Sequence, residues 1–195
     1  MEFGRTLAQA RKWMELAVAP GDLVVDGTAG NGHDTAFLAE LVGEAGTVLA
    51  FDVQQEALDA TADRLGGMAG RVRLILDSHA EVAEYADGPV GGAMFNLGFL
   101  PNRGDRSVIT RPESTVRAIR ALLALLKKGG LITVCVYDGH EGGAEERDAL
   151  LRFAGRLHEA DVHAARYELL NHRGHPPFLI VFEKKKDFTE LRMFD

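Results

Sequence analysis

Cysteine is nearly absent from these 195 residues: the one thiol, Cys135, lies inside the apolar run from Leu131 to Tyr137. A single cysteine excludes disulfides and any zinc site built on thiolates. Long hydrophobic runs are missing too. No apolar stretch approaches the roughly 20 residues that a membrane span needs. The opening residues, Met1-Glu2-Phe3-Gly4-Arg5, lack the apolar core of a signal peptide. Positive charge is not in excess: 22 Lys and Arg against 29 Asp and Glu leave a net charge of −7. That balance excludes a surface that coats polyanions along its whole extent, but it leaves room for a local basic patch. Together these absences predict a cytoplasmic protein with no membrane partner and no metal. The sequence leaves the oligomeric state open, a homodimer included.

What is present is an alternation. At 195 residues and 46% hydrophobic content, the chain suits one domain with a substantial core, spanning 1–195. Apolar side chains at Leu7, Ala10, Trp13, Met14, Ala17 and Val18 predict an N-terminal helix within 1–20, ended by Pro20-Gly21. Strands are predicted at Leu23–Asp26, Thr47–Asp52, Val72–Leu76, Val90–Asn96 and Leu131–Tyr137, then at Val162–Leu170 and Phe178–Glu183. Helices are predicted between them at Thr35–Val42, Gln55–Leu65, His79–Tyr85 (a short one), Pro112–Lys127 and Ala144–Glu159. Gly129-Gly130 closes the fourth of these. A turn-like connector, Asn171 to Pro177, makes the final two strands antiparallel. The expected architecture is α/β: a seven-stranded, mostly parallel sheet with an antiparallel last strand and helices on both faces. The tail 185–195 is charged and is expected to be poorly ordered, with Lys184-Lys185-Lys186 as a solvated edge.

Strand, glycine-rich turn, helix, strand and acid form the nucleotide-binding half of a doubly wound sheet. The turn reads Asp26-Gly27-Thr28-Ala29-Gly30-Asn31-Gly32, with glycines at 27, 30 and 32. It lacks the G-x-G-x-x-G spacing of a dinucleotide site. S-adenosylmethionine (AdoMet) carries no pyrophosphate, so it needs no helix N-terminus aimed at phosphates. It needs close backbone approach near its amino-acid end, and an acid after the second strand to accept from the ribose hydroxyls. Asp52 stands there, and Asp77-Ser78 after the third strand is placed for the adenine.

The chain resembles the class I methyltransferases, and within them the bacterial rRNA methylase (MnmM/YtqB) family. The residues that carry the likeness include Gly30-Asn31-Gly32-His33-Asp34-Thr35, Phe51-Asp52-Val53-Gln54, Asp77-Ser78-His79 and Asn96-Leu97-Gly98-Phe99-Leu100-Pro101. Further along come Ser114-Thr115, Tyr137-Asp138-Gly139-His140-Glu141-Gly142-Gly143, Asn171 and Pro176-Pro177. The chain departs from the usual first motif, acid-x-Gly-x-Gly-x-Gly, by holding Thr28 where its first glycine stands. The resemblance implies a Rossmann-like fold and AdoMet as cofactor, held by Asp26, Gly30, Asn31, Gly32, Asp34, Asp52, Gln54, Asp77, Ser78, His79 and Asn96. It also implies methylation of the 5-aminomethyl group on wobble uridine of tRNA, with the anticodon stem-loop as partner. Methylation of rRNA or of a small molecule on the same fold is the alternative, as is a non-catalytic AdoMet- or RNA-binding module.

Three residues are candidates for the chemistry. Asn96 ends the fourth strand, where many amino-methylating enzymes carry a motif that holds the acceptor nitrogen. An alkyl amine is largely protonated at neutral pH and must lose a proton before it attacks, so a proton acceptor is expected. Asp138 and His140, in the loop after the fifth strand, are the leading candidates, with Glu141 beside them. His33 is read as a helix cap. For RNA, the loop after Asn96 offers Phe99, Arg103, Arg106 and Arg111, and the last hairpin offers Arg166, His172, Arg173 and His175. Guanidinium forks suit phosphates, and aromatic rings suit an unstacked base.

Overall fold

The computed structural model describes residues 5–98 and 109–194. Its elements run α1 (Thr6–Ala17), β1 (Leu23–Asp26), α2 (His33–Val42), β2 (Thr47–Asp52), α3 (Gln55–Leu65), β3 (Val72–Leu76), β4 (Val90–Asn96), α4 (Pro112–Leu125), β5 (Leu126–Val136), α5 (Gly143–Arg156), β6 (Val162–Tyr167) and β7 (Phe178–Lys184). Short 3-10 turns, Gly66–Arg71 and His79–Glu84, flank β3. The sheet order is β3-β2-β1-β4-β5-β7-β6. Strands β1 to β5 pair in parallel, and β7 runs antiparallel to both β5 and β6. The expected α/β architecture is present, with the strand order reversing between β1 and β4.

The central strands are apolar because both faces are covered. Along β4, Ala93 and Phe95 face a core with Ile119 and Leu122 of α4 and with Leu150 and Phe153 of α5. Met94, between them, faces the opposite core with Met14 of α1 and Leu38 and Val42 of α2. This period of two places every second side chain of a strand on the same face at its carboxyl end.

Three expectations change. The helix predicted to reach Lys127 stops at Leu125, and β5 begins at Leu126. Leu126 is buried and pairs with Val90, and the register then shifts so that Gly92 faces Leu131. Lys127 to Gly130 thus belong to an irregular strand start, where Lys127 reaches Asp22 at 2.5 Å. The charged tail is docked rather than loose. Phe188, Leu191 and Met193 pack on the core, Arg192 binds the buried Asp161, and Met193 bridges Leu157. Lys184 is 3% exposed, and its Nζ donates to the Ala124 carbonyl, so the lysine run is not a solvated edge. α5 ends at Arg156, short of the predicted Glu159, which leaves Leu157 outside the helix to bridge Met193 of the tail. No helix among the described residues is long and apolar enough to cross a membrane.

Candidate active site

The carboxyl ends of β1, β2, β4 and β5 meet around one cavity of about 550 Å³. Its floor is the turn after β1, stitched to both neighbouring strands. Gly27 N donates to the Met94 carbonyl at 2.9 Å, Ala29 N donates to the Phe51 carbonyl at 2.8 Å, and Gly30 N donates to Asp52 Oδ2 at 3.0 Å. Glycine is required at two points. A Cβ on Gly27 would stand 2.2 Å from the Phe95 ring, and Gly32, at φ +76°, would put one 2.8 Å from the Thr61 backbone. Thr28 explains its departure from the glycine motif. Its Oγ1 accepts from Asn96 N at 2.8 Å, joining the turn to the end of β4.

The acids that end these strands have different roles. Asp52 lines the cavity; Oδ2 accepts from Gly30 N and Oδ1 from Gln54 N, both at 3.0 Å. Each oxygen keeps a lone pair for a ligand. Burial raises its carboxyl above the ordinary range, against the pull of these backbone bonds. Asp26, expected at the cofactor, lies beneath the turn and does not line the cavity. It is 1% exposed and accepts from Thr28 N at 3.0 Å and Thr35 Oγ1 at 2.6 Å. Burial, with the charge of Asp34 next, pushes its carboxyl up to about 7. Asp26 builds the turn. Asp34 reaches the wall but is held by Arg11 of α1 at 2.9 Å.

On the side of β3, Asp77 lines the cavity, and its carboxyl is lowered by the Tyr85 hydroxyl first and Ser78 N second. Ser78 does not line the cavity; its hydroxyl caps the 3-10 turn by accepting from Ala80 N. Gly32 is likewise outside the wall, whereas Gly30, Asn31 and Gln54 are part of it. His79 is 8% exposed, and Nδ1 bonds the Gly27 carbonyl at 2.9 Å. A carbonyl only accepts, so the proton sits on Nδ1 and Nε2 carries the lone pair. That buried Nε2 has no hydrogen-bond partner among the described residues. Burial lowers the imidazole below its ordinary range, so the ring is neutral.

The acceptor side is formed by Asn96, Leu97, Gly98, Ile109, Thr110, Tyr137, Gly139, His140 and His175. His140 Nδ1 donates to the Glu141 carbonyl at 2.8 Å, which leaves the lone pair on Nε2. Asp138, read from sequence as an alternative proton acceptor, is not in the wall. Its Oδ2 binds Arg147 at 2.6 Å and its Oδ1 faces His175 Nδ1 at 3.5 Å, so it supports the loop from behind. Behind Thr110 lies Glu146, 2% exposed, which accepts from the Thr110 and Thr115 hydroxyls at 2.6 Å each. Thr110 Oγ1 also accepts from Gly98 N, fixing the two stems of the segment between β4 and α4.

Of the RNA candidates, Arg111 is exposed at the start of α4, and His172 and Arg173 are exposed on the hairpin between β6 and β7. Arg166 is engaged within the sheet, stacked on Phe178 at 4.0 Å and paired with Glu168 at 3.0 Å. Phe99, Arg103 and Arg106 lie outside the described residues. Sequence reasoning passed over Tyr137 and Thr110 as wall residues and put His175 among RNA contacts. Tyr137 closes the predicted strand Leu131–Tyr137 as one more apolar residue, and its place at the carboxyl end is the one signal of a wall position.

The sheet order, the reversed β7 and the acid-lined cavity at the strand-order switch define a class I AdoMet-dependent methyltransferase. The donor set fits that cofactor: Asp52 offers two acceptor oxygens for ribose hydroxyls, and His79 Nε2 is an unfilled acceptor for an amino group. A family model described as "Putative rRNA methylase" matches residues 48–183, and the chain belongs to that family. The chain is 34% identical over 94% of its length to the chloroplastic tRNA (mnm(5)s(2)U34)-methyltransferase of Arabidopsis thaliana, of which it spans 72%. It is similar to the crystal structure described as a "putative rRNA-methylase" from Clostridium thermocellum, with 41% identity and a TM-score of 0.91, covering 94% of this chain and 100% of that one. A protein from Streptococcus mutans described as "a putative methyltransferase", solved with SAH, matches at 38% identity and a TM-score of 0.84, covering 92% of this chain and 98% of that one.

Proposed function

We propose that the protein methylates the 5-aminomethyl nitrogen of the wobble uridine in tRNA. One observation carries this reading: the 34% identity, over 94% of the chain, to a relative named for methylation at U34 of tRNA. The acceptor wall agrees with an amine substrate, because it combines the carboxamide of Asn96 with the imidazole of His140.

Asp52 binds the ribose hydroxyls of AdoMet, and His79 with Asp77 faces its adenine side. Asn31, Gln54 and the backbone at Gly30 complete that half of the wall. AdoMet supplies a methyl group on a sulfonium, whose sulfur keeps the bonding pair when the methyl leaves. The chain supplies orientation and a proton acceptor. The substrate ammonium gives one proton to His140 Nε2, which frees the nitrogen lone pair, and Asn96 holds that nitrogen. His172 and Arg173 on the hairpin and Arg111 at α4 offer cationic or hydrogen-bonding contacts to the phosphates of the anticodon stem-loop.

The test is methyl transfer from labelled AdoMet to tRNA carrying 5-aminomethyluridine, compared with ribosomal RNA. Label in the tRNA supports the reading. Label confined to ribosomal RNA, the substrate in the family's description, would overturn it in favour of that second substrate.

A further inference from the structure

Two polar side chains in the acceptor wall make no hydrogen bond to any described residue: the Asn96 carboxamide and the Tyr137 hydroxyl. Asn96 pairs in register with Cys135 on the neighbouring parallel strand, so the two side chains share a face of the sheet. Tyr137 comes two residues after Cys135 and packs in the same core cluster, which puts it on that face one step nearer the rim. The pair is fixed from below. Thr28 holds the Asn96 backbone, and the Tyr137 ring packs among buried residues.

Resting on the reading of an amine substrate, we infer that Tyr137 is a substrate-orienting residue: its hydroxyl and the Asn96 carboxamide together hold the two N–H bonds of the neutral amine and aim its lone pair. A primary amine that has lost its proton keeps two N–H donors. Two acceptor oxygens on one face satisfy both and leave the lone pair as the remaining direction. The phenol is unsuited to the proton-accepting role. Burial raises it first, with Cys135 and Asp34 adding to the effect, to about 12, so it keeps its proton and acts through its oxygen lone pairs. The proton leaves through His140, the N–H bond breaking as the Nε2–H bond forms. Cys135 and Asp34 act on the phenol, Asp138 follows it in the chain, and His140 and His175 line the same wall.

Tyr137→Phe removes one oxygen and keeps the ring, so packing is preserved. With tRNA bearing 5-aminomethyluridine, kcat should fall about 10- to 100-fold. SAH affinity, measured by calorimetry, and the KM for tRNA should stay within about twofold. The pH profile of kcat should keep its shape, because no proton acceptor has been lost. In the Asn96→Ala background, Tyr137→Phe should cost much less than it does alone, since both act on one nitrogen. A kcat within twofold of the unsubstituted protein would overturn the inference. So would a loss of SAH affinity by the same factor as kcat, which would make the phenol a cofactor contact. If the unsubstituted protein itself transfers no methyl to this tRNA, the proposed function fails first, and this role fails with it.

Discussion

Asp26 and Asp52 end adjacent strands of the same sheet, yet only one of them faces the cavity. The difference lies in which groups reach each carboxylate. Asp52 is met by backbone N–H groups that leave lone pairs open, so Asp52→Ala should weaken AdoMet binding by about 1–3 kcal/mol, read by calorimetry. Unchanged affinity would remove Asp52 from the cofactor site. Asp26 is buried under the turn with a carboxyl pushed up to about 7 from an ordinary 3.8. Between those values the folded protein holds more proton than the unfolded chain. Its contribution is therefore most favourable below about pH 4 and is lost as pH rises through about 7, with a slope of at most ~1.4 kcal/mol per pH unit. Unfolding free energies compared with those of Asp26→Asn from pH 5 to 8 should show the unsubstituted protein losing ground as pH rises. A difference that is flat with pH would contradict this.

At the scale of elements, the turn after β1 and the end of β4 behave as one unit because Thr28 Oγ1 takes the Asn96 N–H. Thr28→Val keeps the shape and removes the acceptor, so it should cost about 1–2 kcal/mol in denaturant unfolding and lower kcat through Asn96. Much of this level was legible in the sequence. Alternating apolar runs gave every strand, and acids at the ends of β1, β2 and β3 marked the rim. The roles of those acids were not legible, since the pattern that places Asp26 and Asp138 at a rim does not say whether a threonine, an arginine or open space meets them. The start of β5 was misjudged for a related reason. Leu126 satisfies a helical pattern as well as a strand, and its burial against Val90 decides in favour of the strand. Tyr137 reads as one more apolar residue of a buried strand until the cavity beside it is seen.

Over the whole molecule, the acidic balance of the chain and its proposed RNA partner are compatible only if cationic groups are local. Arg111, His172 and Arg173 are exposed, whereas Lys184, Lys186 and Arg192 are committed to Ala124, Asp161 and the docked tail. Deleting residues 186–195 should destabilise the fold by on the order of 2–4 kcal/mol, because Phe188, Leu191 and Met193 leave the core. SAH affinity, measured below the new unfolding midpoint, should be unchanged, since the tail lies outside the cavity wall. The tail's order was not legible in its charge pattern, because its bases Lys186 and Arg192 pair with Asp161, far back in the chain. The proposed reaction turns on one acceptor atom. Nucleosides from tRNA bearing 5-aminomethyluridine, treated with this protein and AdoMet and resolved by mass spectrometry, should show a gain of about 14 daltons on that nucleoside at its exocyclic nitrogen. No gain there, from protein shown to bind AdoMet, would contradict it.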